Sequence, residues 1–116
     1  MIADLPFTDD SFDGVLSWYS TIHSPDADLP PIFSEARRVL RPSGLFLVAF
    51  QSGRGVQDVS DHYKRRGHDI VLHRYNRTPE EIAYALESAG MTEVARRTRA
   101  AAAHERDAQA VLIARV

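Results

Sequence analysis

The sequence predicts an α/β domain with a partly parallel sheet, and three observations carry that prediction. An apolar and aromatic run, Phe12 to Tyr19, follows the acidic turn Thr8-Asp9-Asp10-Ser11. A helix-periodic stripe of Ile32, Ala36, Val39 and Leu40 ends at Pro42-Ser43-Gly44 and gives way to a second apolar run, Leu45 to Phe50. Strand, helix, turn and strand in that order make a βαβ unit, so the two strands should be parallel with a right-handed crossover. Two further strand candidates close the chain as an antiparallel pair.

Phe12 to Tyr19 is too short for a stable helix, and Val15, Leu16, Trp18 and Tyr19 are all large. Near-continuous apolar runs of this length mark strands covered on both faces. The helix that follows has Asp28 as its N-cap, with Pro30 and Pro31 in the first turn, where a missing N–H costs nothing. Its stripe recurs at i, i+4, i+7 and i+8, which leaves Glu35, Arg37 and Arg38 facing water. Pro42 and Gly44 stop it, and Gly44 is the residue best able to take a positive φ in the turn.

Gln51 to Arg77 is the least patterned stretch, punctuated by Gly53, Gly55 and Gly67, with one extended candidate from Ile70 to Tyr75. Loops of this length are usually functional or mobile. Thr78-Pro79-Glu80-Glu81 then signals a helix start, because the Thr hydroxyl can accept from the Glu81 amide while Glu81 reaches back. Ile82, Ala85, Leu86 and Ala89 form its buried face and Gly90 ends it. Thr92 to Thr98 and Gln109 to Val116 are the last strands, and a connection without a helix makes them an antiparallel hairpin.

Composition narrows the function classes. The chain has 116 residues, which suits one domain, and 14 Lys plus Arg against 16 Asp plus Glu give a net charge of -2. That balance lacks the basic footprint of a nucleic-acid or anionic-membrane binder. With no cysteine there is neither a disulfide framework nor a thiolate nucleophile. No apolar run approaches a membrane span, and a cytoplasmic location is the expectation. Asp9, Asp10, Asp13, Asp26, Asp28 and His23 match the spacing of no calcium or magnesium loop, so no metal is expected. Gly53-Arg54-Gly55 is a lone Gly-x-Gly, and His62, His68 and His73 read as surface residues in a polar stretch.

Three segments in order carry a family resemblance: Leu5-Pro6-Phe7 with Asp9-Asp10-Ser11-Phe12-Asp13, the helix ending Glu35-Ala36-Arg37-Arg38-Val39-Leu40-Arg41-Pro42-Ser43-Gly44, and the hairpin after Gly90. On these the chain resembles the C-terminal half of a class I S-adenosylmethionine-dependent methyltransferase of the small-molecule type. The resemblance implies a partial Rossmann-like sheet, strands four to seven with the last antiparallel and inserted near the edge, flanked by helices. It also implies one N-terminally truncated domain over residues 1–116, with S-adenosylmethionine as cofactor and a small molecule as methyl acceptor. The glycine-rich loop after the family's first strand, and the acidic residue after its second, have no counterpart here, so half the cofactor site is missing.

By position in that family, Ile2, Ala3 and Asp4 lie at the adenine-contacting turn. Ser17, Trp18 and Tyr19 match the segment leaving strand four, which lines the methionine portion and the transfer channel. His23 matches a position beside the acceptor and is the catalytic candidate. Methyl transfer is an in-line displacement at a sulfonium, which gains most from close alignment in a dry pocket. Aromatic faces suit the cation, and a neutral His23 could take a proton from the acceptor. Strand four is central in the parent sheet. Without its neighbour, Phe12 to Tyr19 should expose an unpaired edge, and pairing of two copies across it is expected to give a homodimer.

Overall fold

The computed structural model describes residues 4–53, 56–58 and 73–116. The elements in order are β1 (Phe12–Trp18), α1 (Leu29–Val39), β2 (Leu40–Ser52), β3 (Val56–Asp58), β4 (His73–Tyr75), α2 (Pro79–Ser88), β5 (Thr92–Arg99) and β6 (Ala108–Arg115). Two short 3-10 turns, Thr21–His23 and Asp26–Asp28, connect β1 to α1.

Four strands form the main sheet in the order β1-β2-β6-β5. β1 and β2 are parallel, with Leu16 opposite Leu47 and Trp18 opposite Ala49. β6 runs antiparallel to both neighbours, β2 and β5, and so lies between two strands that precede it in the chain. The α/β class, the parallel pair and the antiparallel insertion match the sequence expectation. β3 and β4 make a separate two-stranded ribbon that contains the described end of the Ile70 to Tyr75 candidate. Arg54, Gly55, His62 and His68 lie outside the described residues, as do Ile2 and Ala3.

α1 buries Leu29, Ile32, Phe33, Ala36 and Val39, so Leu29 and Phe33 widen the predicted stripe. Leu29, Ile32, Phe33 and Ala36 share one core cluster with Phe46, Val48 and Phe50 of β2 and Leu112 of β6, joined by Ile82 and Leu86 of α2. The Phe33 and Phe46 rings meet edge to face at 5.6 Å. Removing either ring should cost about 3–5 kcal/mol. Asp28 precedes α1 but makes no side-chain cap, and the Pro-Pro start does the positioning instead. α2 begins with the expected box: the Glu81 amide donates to Thr78 Oγ1 at 3.2 Å and the Thr78 amide to Glu81 Oε1 at 3.2 Å.

Three details differ from the sequence reading. The second strand starts at Leu40 rather than Leu45, because Phe12 pairs with Leu40 and the next paired residue, Gly14, faces Leu45. The intervening Arg41–Gly44 stretch bulges, and there Ser43, not Gly44, takes the positive φ of 67°. Gly44 is needed for space instead, since a Cβ would lie 2.8 Å from Arg41 O and 3.2 Å from Asp13 O.

The third concerns β1, which the sequence expected to be covered on both faces. Among the described residues both helices pack on the face of Phe46, Val48 and Leu112. Leu16 and Trp18, on the opposite face, are 62% and 61% exposed. Among the described residues β1 is also an edge, paired only with β2.

The segment before β1 is strapped to the end of α1. Arg38 bonds Glu35, Asp9 Oδ1 at 2.8 Å and Leu5 O at 3.0 Å, while the Leu5 amide donates to Glu35 Oε1 at 2.8 Å. These contacts hold the Glu35 carboxyl down to about 2, through the Arg38 guanidinium first and the Leu5 amide second. The Asp10 and Ser11 amides then cap the helix carbonyls of Arg38 and Val39. No helix among the described residues is long and apolar enough to cross a membrane.

Candidate active site

Parallel strands β1 and β2 end side by side, and the carboxyl edge of such strands is where open α/β sheets bind ligands. The chain leaves β1 through Tyr19 at φ 55°, a left-handed conformation that costs a bulky residue on the order of 1–3 kcal/mol. Strain of this kind persists only where neighbours impose it. The Tyr19 amide donates to Ala49 O at 2.9 Å, and its ring meets Trp18 edge to face at 5.3 Å. Its hydroxyl donates to Gln109 Oε1 at 2.6 Å. Gln109 is oriented in turn, because its Nε2 donates to Asp107 O at 3.0 Å and leaves the carbonyl oxygen to accept. Beneath this, Ser17 is buried and its Oγ lies 2.6 Å from Ser20 Oγ.

Cavities lie on both sides of the Tyr19–Gln109 pair. A polar one of about 510 Å³ is lined by Tyr19, Gln51, Arg74, His104, Asp107 and Gln109. A smaller one of about 190 Å³ is lined by Trp18, Tyr19, Arg97, Arg99, Gln109 and Val111. The β5–β6 connection that walls the first is pinned by Arg99, which donates to both Glu105 carboxylate oxygens at 2.6 and 2.9 Å. That contact, with the Ala102 amide second, holds the Glu105 carboxyl down to about 2. Arg74 and Asp107 form an ion pair in the same wall.

Ser17, Trp18 and Tyr19 thus come together at the expected edge. His23 sits exposed at the end of the first 3-10 turn, and neither cavity is lined by it. Asp4 is exposed and precedes Leu5, whose amide Glu35 holds. The connection bearing His23 is fixed by Arg77, which is 3% exposed. Its guanidinium donates to Asp26 Oδ1 and Thr21 O, both at 3.0 Å, and to Ser24 O. Sequence reasoning passed over Gln51, Gln109 and Arg77. Gln51 and Gln109 carried a legible signal, being polar residues at the ends of apolar strands, but Arg77 carried none.

Residues 1–48 match the model of a family described as a methyltransferase domain. A solved S-adenosylmethionine-dependent methyltransferase from Methanosarcina mazei superimposes with a TM-score of 0.80 at 18% identity, over 97% of this chain and 63% of that one. The fold is that of a class I S-adenosylmethionine-dependent methyltransferase. The order β1-β2-β6-β5 corresponds to the class's strands four, five, seven and six. A second methyltransferase structure is the 1,6-didemethyltoxoflavin-N1-methyltransferase of Burkholderia thailandensis, solved with 1,6-didemethyltoxoflavin and S-adenosylhomocysteine bound. It gives a TM-score of 0.75 at 22% identity, over 97% of this chain and 47% of that one.

In sequence, the chain is 40% identical over 62 residues to sterol 24-C-methyltransferase ERG6B of Gibberella zeae, covering 53% of this chain and 16% of that protein. It is 44% identical over 54 residues to methyltransferase GfsG of Streptomyces halstedii, covering 47% of this chain and 19% of that one. The chain therefore spans under a fifth of those two relatives.

Proposed function

We propose that this chain supplies the acceptor side of an S-adenosylmethionine-dependent methyltransferase acting on a small molecule. It would hold the cofactor fully only together with further polypeptide. The single observation that carries this reading is the strained Tyr19, held between two cavities at the carboxyl edge of parallel strands in the methyltransferase order. Its neighbours hold it in that conformation, and strain kept at the edge where open α/β sheets bind ligands supports a binding role there.

The edge-to-face Trp18 and Tyr19 rings fit a cationic guest, because an aromatic face attracts positive charge at short range. When bound, S-adenosylmethionine supplies an electrophilic methyl group on a sulfonium. In this reading Ser17, Trp18 and Tyr19 line its methionine portion, while Ile2, Ala3 and Asp4 line the adenine side. Trp18 and Tyr19 would exclude water from the transfer channel, and His23 would take the proton the acceptor gives up. The acceptor is a small molecule and the location cytoplasmic.

Calorimetry with S-adenosylhomocysteine tests the reading on the chain alone. Weak binding, or binding that appears only when further polypeptide is supplied, is expected. Micromolar binding by the chain alone, with slow turnover, would refute the dependence on further polypeptide.

One observation favours a second reading, in which a non-catalytic α/β module associates with its own copy. β1 is an edge strand carrying the exposed Leu16 and Trp18, an arrangement that invites edge-to-edge pairing. Pairing across Phe12 to Tyr19 would make a homodimer with a continuous sheet. Light scattering at micromolar concentration should then report a dimer, and Leu16→Lys should make it a monomer. A monomeric parent chain would rule this reading out.

A further inference from the structure

Where α2 meets the start of α1, the outer surface carries a groove of about 450 Å³, within the roughly 300–1,000 Å³ usual for binding pockets. It shares no residue with the two cavities at the carboxyl edge. Leu29, Ala85 and Tyr84 give it an apolar lining, and Tyr84 is 74% exposed. Three carboxylates, Asp26, Glu80 and Glu81, complete it with Arg77. Each carboxylate has one oxygen in use: Asp26 Oδ1 accepts from Arg77, Glu80 Oε1 from Arg96 and Glu81 Oε1 from Thr78. Asp26 Oδ2, Glu80 Oε2 and Glu81 Oε2 make no hydrogen bond among the described residues.

The neighbouring cations are already committed. Arg77 is 3% exposed, and each of its three nitrogens donates, to Asp26, Thr21 O and Ser24 O. Arg96 gives two bonds to Glu93, at 2.7 and 3.1 Å, and one to Glu80. α2 carries Glu80, Glu81 and Glu87 and no basic residue, so its positive N-terminal end is already faced by two carboxylates. An apolar groove with an exposed ring and spare carboxylate oxygens is complementary to a cation on an aliphatic stem.

We propose that this groove docks an arginine-bearing segment of a partner polypeptide. The stem lies against Leu29 and Ala85, and the guanidinium sits between the Tyr84 ring and the free oxygens of Glu80 and Glu81. A guanidinium suits the place better than an ammonium, because its face stacks on a ring while its edge donates to more than one carboxylate. Ion pairs at an open groove are individually weak, so a free small cation gains little there, whereas a chain brings several contacts at once. The surface is separate from the methyltransferase chemistry, and neither reading depends on the other.

A ¹H–¹⁵N titration of the full chain tests this with three probes: acetyl-Leu-Arg-Ala-Leu-Arg-amide, the same peptide with citrulline for both arginines, and N-butylguanidinium. The arginine peptide should shift the amides of Glu80, Glu81, Tyr84 and Ala85. At low salt it should bind at least about tenfold more tightly than the citrulline peptide, a margin that shrinks as ionic strength rises. N-butylguanidinium should shift the same amides with weaker binding. Tyr84→Ala, at an exposed position, and Glu81→Gln, which keeps the capping box, should each weaken the arginine peptide about threefold or more. Asp13→Asn, outside the groove, should leave it unchanged, which separates docking from a general attraction of cations to a chain of net charge -2. Equal binding of the arginine and citrulline peptides, N-butylguanidinium as tight as the peptide, no effect of Tyr84→Ala, or an equal loss in Asp13→Asn would each overturn the proposal.

Discussion

Replacing Arg77 by Met separates a fixed β1–α1 connection from a merely adjacent one. The methionine keeps most of the buried stem and deletes the guanidinium that donates to Asp26, Thr21 O and Ser24 O. The three contacts are not equal. Asp26 is 81% exposed at its side chain, so water replaces the lost partner and that ion pair contributes about 0–1 kcal/mol. Thr21 is fully buried, and its carbonyl keeps only the Ser24 amide at 3.0 Å, so losing a charged donor there should cost about 1.5–3 kcal/mol. The guanidinium also lies 5.4 Å from the Tyr75 ring centre, a contact of about 0.5–1 kcal/mol.

Allowing for overlap among these terms, the sum is about 2–4 kcal/mol, a large share of the roughly 5–15 kcal/mol that holds a domain of this size. Urea unfolding gives the total. Hydrogen exchange gives its location, with protection lost at the amides of Ser24 and Asp28, which bond Thr21 O and Pro25 O, and kept in β2 and β6. A loss below about 1 kcal/mol, or unchanged exchange at Ser24, would refute the assignment of Arg77 as the tie.

The remaining predictions are smaller in scope. Gly44→Ala forces a Cβ to within 2.8 Å of Arg41 O and should cost about 1–3 kcal/mol in urea unfolding, although the backbone there needs no positive φ. Thr78→Ala removes one half of the capping box and should cost about 1 kcal/mol, read as earlier exchange in the first turn of α2. Folding lowers the Glu35 carboxyl from 4.5 to about 2, so its stabilising contribution is complete above about 4.5 and vanishes as the pH falls toward 2. Urea midpoints measured down that window should fall less steeply in Glu35→Gln than in the parent, and parallel curves would show that the Arg38 contact does not couple to folding.

The parts of the fold that were legible in the sequence are those fixed by local chemistry. The capping box at Thr78, the stop at Gly90 with φ 88° and the apolar runs of β2 and β6 each state their own conformation. The misread details depend on pairing across the sheet. Leu40 looked like the end of a helix stripe, yet Phe12 recruits it as the first paired residue of β2. Ser43 takes the left-handed turn because Gly44 is held against backbone atoms of Asp13 and Arg41. The site divides in the same way. Trp18 and Tyr19 were visible as aromatics at the end of a strand, whereas Arg77 acts through carbonyl groups more than fifty residues earlier in the chain, a relation no local pattern encodes.

β1 is where the sequence and the described structure pull apart, and the disagreement bears on function. Its run Val15, Leu16, Trp18 and Tyr19 has the composition of a strand with a coat on each side, and α1 and α2 provide one coat. Soluble sheets rarely leave large apolar side chains on an open face beside an open edge, since both are templates for association. The uncovered residues are the ones next to the strained Tyr19, because Trp18 precedes it and packs on its ring. Whatever covers Leu16 and Trp18 must therefore approach the same edge as the two cavities. Cover there would screen Trp18 from water and close the smaller cavity on its Trp18 side.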